Sequence, residues 1–184
     1  MLHVIKPTLR PGTSTLTRQG GLISITINSD WVEPRHPHKQ EDVDAALRIL
    51  QFSMGWFAPP IFNGDYKDVM KTIIRDRSLA AGLPHSRLPE FTQEEIERVK
   101  GTHDYLGFNS YTTVLGYPKD FGDQQDYDGD RGAGRIQDRS WIESGSSWLK
   151  ITPFGFRRIL NFSKEEYGNP PVYVTENGSE AQWT

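Results

Sequence analysis

One stretch restricts the fold more than any other: Pro170-Pro171-Val172-Tyr173-Val174-Thr175-Glu176-Asn177-Gly178. Val172 to Thr175 is a run of β-favouring residues, with prolines before it and a glycine soon after. It reads as a short buried strand. Glu176 falls where that strand ends. A carboxylate there costs free energy unless it is paired or functional. In parallel βα architectures the C-terminal ends of the strands are where active sites form.

The chain upstream repeats the arrangement. Gly21 to Asn28 alternates apolar and small polar residues, with Ile23, Ile25 and Ile27 on one face, and predicts a strand. Glu41 to Phe57 predicts a helix whose apolar face is Val43, Ala46, Leu47, Leu50, Met54 and Phe57. Glu41, Asp42 and Asp44 lie in its first turn, and Pro59-Pro60 is expected to stop it. Tyr66 to Leu79 predicts a second helix, with Lys71, Arg75 and Arg77 as a solvated face. Thr92, with Glu95 three residues on, has the spacing of a capping box. Asp104 to Thr113 predicts another strand ending in polar residues. Gly116 to Ser147 has no sustained period and reads as a long loop. Thr152-Pro153 opens a last helix with Phe156, Ile159 and Leu160 inward, and Gly168 closes it. Strand, helices, strand, loop, helix, strand is the alternation of a parallel α/β sheet.

The bulk properties narrow the chemistry. A net charge of −3 with dispersed basic residues offers no patch for nucleic acid. There is no cysteine, so disulfides and thiolate metal sites are excluded. The histidines show no metal-ligand spacing, and Asp123, Asp126, Asp128 and Asp130 lack the downstream glutamate of a calcium loop. No run of 18 apolar residues encodes a membrane span. The abundant aromatics suit either an aromatic-lined sugar site or simply a well-filled core.

Several ordered motifs carry a resemblance. Val172 to Gly178 resembles the nucleophile motif of the family 1 glycoside hydrolases, the retaining β-glucosidase family, although the position after the glycine, usually apolar there, is Ser179. Gly55-Trp56-Phe57-Ala58, Gly64-Asp65-Tyr66 and Ser86-Arg87-Leu88-Pro89 follow in the order that family shows after its fifth strand. Asn109-Ser110-Tyr111 resembles the Asn-x-Tyr end of its sixth. The resemblance implies an α/β fold that is a partial TIM-type (β/α)8 barrel, about strands five to seven with their helices. It covers residues 20–178, between an atypical segment 1–19 and a truncated tail 179–184. Residues 7–17 read as a shifted frame of a family helix.

The implied activity is retaining hydrolysis of β-glucosides or β-galactosides, of the β-glucosidase or lactase type. Glu176 would be the nucleophile, Asn109 would face the sugar or its neighbours, and Tyr111 would donate a hydrogen bond to Glu176, favouring its ionised form. No metal or organic cofactor is implied. The expected partner is a small-molecule β-glycoside, with no nucleic acid and no membrane contact encoded in the chain. The family's acid/base motif, Thr-x-Asn-Glu-Pro, is matched only in its first half by Thr26-Ile27-Asn28, and Glu33 of the pair Glu33-Pro34 comes five residues after Asn28, out of register. Neither Asp30 nor Glu33 is therefore assigned as the acid, and the chain alone is expected to turn over natural disaccharides little. A lactase-type relationship would imply the outward face of the apical plasma membrane. The alternative from a different class is a klotho-like binding domain that does not catalyse.

Overall fold

The structure, a computed structural model, describes residues 20–178. The segment 1–19, its shifted-frame reading and the tail 179–184 lie outside the described residues. Three parallel strands form the first sheet: β1 (Thr26–Asn28), β3 (Leu106–Asn109) and β8 (Val172–Glu176), in the order β1-β3-β8. Between β1 and β3 come β2 (Trp31–Pro34) and four helices: α1 (Gln40–Met54), α2 (Ala58–Asn63), α3 (Asp68–Ala80) and α4 (Gln93–Val99). Between β3 and β8 come β4 (Thr113–Pro118), α5 (Tyr127–Arg131), β5 (Ala133–Ile136), β6 (Ile142–Glu143), β7 (Lys150–Ile151) and α6 (Pro153–Tyr167). Parallel neighbours need such crossovers, and helices supply them. The fold is α/β.

The predicted strand 21–28 is regular only over β1. Ahead of it Ile23 and Ile25 still accept backbone hydrogen bonds from Asp104 and Gly107, at 2.8 and 3.2 Å. The region 116–147 is not one long loop. β4 pairs in parallel with β2 and antiparallel with β5, making a second sheet, β2-β4-β5. These strands are too short and too mixed in polarity to show a period. The aspartates of this region serve locally: Asp126 caps α5 by accepting from the Gly129 N–H at 3.0 Å, and Asp128 pairs with Arg131 at 2.7 Å.

α1 is buried on both sides. One side meets the main core, which includes Ile27, Val32, Ile49, Leu50 and Phe108. The other contributes Phe52 to a second cluster with Tyr66, Met70, Ile74 and Leu88. The predicted face is displaced as a result: Ala45 and Ile49 are buried, while Leu47 is 43% exposed. Asp42 is buried too, because its carboxylate accepts from the His36 backbone N–H at 2.9 Å and meets the ring Nδ1 at 2.7 Å. Pro59 and Pro60 do not merely end a helix. They lie in the first turn of α2, where a missing N–H costs nothing.

On α3, Arg77 is not simply solvated. It donates to the Gly122 and Gln124 carbonyls at 2.9 and 2.7 Å and approaches Asp130, which Arg87 also pairs at 2.6 Å. The capping box at Thr92 is present, with Thr92 Oγ1 accepting from the Glu95 N–H and the Glu95 carboxylate accepting in return. α6 begins at Pro153 and ends at Gly168 in the left-handed conformation. It approaches β4 so closely that a Cβ on Gly155 would lie 1.9 Å from Thr113 Oγ1.

The largest departure from expectation concerns β8. Every residue from Val172 to Glu176 is exposed. Among the described residues the strand pairs with β3 on one flank only and no element covers its faces, so its composition alone does not bury it.

Candidate active site

The strand ends of the first sheet are level. Asn28 stands opposite Asn109, and Asn109 opposite Glu176. The polar residues that end each strand are thus gathered at one rim. The Tyr111 hydroxyl donates to Glu176 Oε2. That bond, followed by desolvation and then by the negative charges of Glu176 and Asp30, holds the Tyr111 phenol above its ordinary pKa. The proton therefore stays on tyrosine, and Glu176 keeps a donor aimed at it as the ionised form requires.

Other contacts fix this strand end. The Ser110 N–H donates to the Glu176 carbonyl at 3.1 Å, and the Asn177 amide donates to the Ser110 carbonyl at 2.7 Å. The Thr175 hydroxyl bonds to Asn109 Oδ1. Asn109, Tyr111 and Glu176, 65 residues apart in the last pair, are brought to one place. Beside them opens a cavity of about 200 Å³, lined among others by Tyr111, Thr112, Ile151, Phe156 and Asn177. Trp148 stands against Tyr111 edge to face, with ring centroids 5.8 Å apart.

Trp148 and Asn177 were not singled out from the sequence. Asn177 lay within the motif, and its amide follows directly from its place after Glu176. Trp148 carried no signal, since it sits in a Gly- and Ser-rich stretch. The two carboxylates set aside upstream are both occupied. Asp30 accepts from the N–H groups of Tyr111 and Thr112 at 2.8 and 3.1 Å, and Glu33 accepts from the Trp31 indole at 2.7 Å and pairs with Arg158. Among the described residues no group of three or more His, Asp or Glu is placed to hold a metal ion.

The profile of Glycosyl hydrolase family 1 matches residues 12–183. Human lactase/phlorizin hydrolase is 66% identical over 162 residues, which is 87% of this chain and 8% of that protein. Aphid myrosinase superposes with a TM-score of 0.80 at 34% identity, covering 89% of this chain and 36% of that one. A β-glucosidase from the fungus Humicola insolens, solved in complex with glucose, superposes at 0.76 with 37% identity, covering 89% and 33%. The chain belongs to glycosyl hydrolase family 1. It spans about a third of the solved chains it matches and a small part of the hydrolase. These relatives are enzymes, and they lend no support to the klotho-like alternative.

Proposed function

We propose that this chain carries the nucleophile half of a retaining β-glycosidase site. Glu176 attacks the anomeric carbon, Tyr111 orients and stabilises its carboxylate, and Asn109 faces the sugar or its neighbours. The observation that carries the reading is the hydroxyl of Tyr111 donating to Glu176 at the level C-terminal ends of parallel strands. The substrate class is a β-glucoside or β-galactoside, in keeping with the names of the relatives. β1, β3 and β8 correspond in this reading to strands five, six and seven of an eight-stranded barrel. A lactase-type placement at the outer face of the plasma membrane accords with the same likeness.

A retaining mechanism needs a second carboxyl about 5–5.5 Å from the first, to protonate the leaving oxygen and then to activate water. Asp30 and Glu33 are engaged elsewhere, so neither fills that role. With no acid assigned among the described residues, the chain alone is expected to turn over natural disaccharides little. Its nucleophile is tested separately with a 2-fluoro-glucoside bearing a dinitrophenolate leaving group. The Glu176 carboxylate forms the bond to the anomeric carbon, the bond to the phenolate oxygen breaks, and that oxygen departs with its electron pair and needs no proton. Intact mass is expected to show one added fluoroglucosyl group, mapped to Glu176 and absent from Glu176→Gln. No adduct, or an adduct on another residue, would refute the assignment.

A further inference from the structure

The two parallel pairs do not run in step. Two residues, Ser29 and Asp30, separate β1 from β2, whereas three, Ser110 to Thr112, separate β3 from β4. The flanking residues are nevertheless in register, with Asn28 opposite Asn109 and Trp31 opposite Thr113. The β3–β4 junction thus holds one extra residue. Such a bulge bends the strand and re-aims a side chain.

Each N–H in the bulge needs an acceptor. Ser110 finds the Glu176 carbonyl. Tyr111 and Thr112 both donate to a single oxygen, Asp30 Oδ1, from the shorter junction 81 residues upstream of Tyr111. Beyond the bulge, the Thr112 hydroxyl accepts from the Lys150 N–H at 3.0 Å and reaches the Lys150 carbonyl at 2.9 Å. The middle residue of this clamped segment is Tyr111, whose hydroxyl reaches Glu176.

We propose that Asp30 is a positioning residue, whose carboxylate holds residues 110–112 in the shape that aims the Tyr111 hydroxyl at Glu176. The catalytic consequence rests on the reading of Glu176 as nucleophile; the positioning does not. An aspartate with no place in the family motif thereby acts on the reacting group through a tyrosine. The charge of Asp30 also raises the Tyr111 pKa directly, as the smallest of its causes.

The test uses the full chain with tyrosine carrying ¹³C at Cζ. The Tyr111 resonance is identified by its loss in Tyr111→Phe. Asp30→Asn keeps an oxygen for both N–H groups and removes the charge, and Asp30→Ala removes both. In the native chain Tyr111 is expected to titrate above an ordinary tyrosine. Asp30→Asn should stay close to native, and Asp30→Ala should fall to the midpoint seen in Glu176→Gln. Equal falls in the Asn and Ala variants would mean that only charge matters and would overturn the proposal, as would an unchanged Ala variant. If Asp30→Ala does not fold, Asp30→Ser replaces it, since its shorter side chain falls short of the two donors. Labelling by the fluoroglucoside should slow by about tenfold or more in the same variants that lose the Tyr111 shift, because small misplacements of reacting groups cost up to about 10²-fold. A native chain that takes no label would sink the nucleophile reading and leave the resonance result standing.

Discussion

β3 and β8 lie side by side, joined by backbone hydrogen bonds, and their surroundings are opposite. Leu106 and Phe108 in β3 are completely buried, whereas Val172, Tyr173 and Val174 in β8 are 38%, 54% and 45% exposed. Both strands are apolar by composition. The difference lies in what covers them. β3 has a strand on each flank and belongs to the core that α1, α2 and α6 complete, while β8 has a strand on one flank and nothing described over its faces. Pairing orders a strand, and burial comes from the layers above it. The exposed strand carries the proposed nucleophile, and the junction that follows the buried one carries its support, Tyr111.

Four measurements would break or sharpen that contrast. Phe108→Ala should cost about 3–5 kcal/mol, the usual cost of emptying a large aromatic site, read as a lower urea midpoint. A loss as small as that of an exposed residue would erase the distinction between the strands. Next comes alkaline unfolding. Burial, and then the charge of Asp65, push the Tyr66 phenol up to about 12 from 10.0. Its contribution is therefore intact below pH 10 and is lost as pH rises through about 12, on the order of 2–3 kcal/mol when ionisation is complete. Tyr66→Phe should flatten that part of the stability curve, and an unchanged curve would place the alkaline loss elsewhere. Third, Gly107→Ala in β3 would bring a Cβ within 2.6 Å of Thr26 Oγ1 and 3.1 Å of the Ile25 carbonyl. The sheet must part there, at about 1–3 kcal/mol; a neutral result would mean that β1 yields freely. Smallest of all, Val174→Ala in β8 should stay within about 0.5 kcal/mol, as surface substitutions do. A cost of several kcal/mol would show that β8 is covered in solution by something beyond the described residues.

The α/β alternation and the end of each sheet strand were legible because short apolar runs meet polar motifs at those points, as at Phe108-Asn109 and Thr175-Glu176. The capping box at Thr92 and the helix limits at Pro153 and Gly168 were legible for local reasons, since one turn of backbone decides them. What escaped was set by distant partners. Asp42 is buried because of His36, and Leu47 is exposed because α1 is gripped from two other directions. From the sequence Arg77 reads as solvated because its acceptors, the carbonyls of Gly122 and Gln124, lie in a stretch without periodicity. Asp30 looked like a failed motif position. Its partners are the two backbone N–H groups of a bulge that exists only once β2 and β4 are paired, which no spacing within 26–34 could reveal.

The register of the first sheet also sets the order of events as the chain folds. α1 to α4 and their connections lie within one short span of sequence, and contacts of that kind form quickly. The site depends on pairings 81 and 65 residues apart, those of Asp30 with Tyr111 and of Tyr111 with Glu176. Closing such long loops costs entropy before any contact rewards it, and parallel pairing is intrinsically slow. Refolding should therefore show helical signal first and the Tyr111–Glu176 contact last.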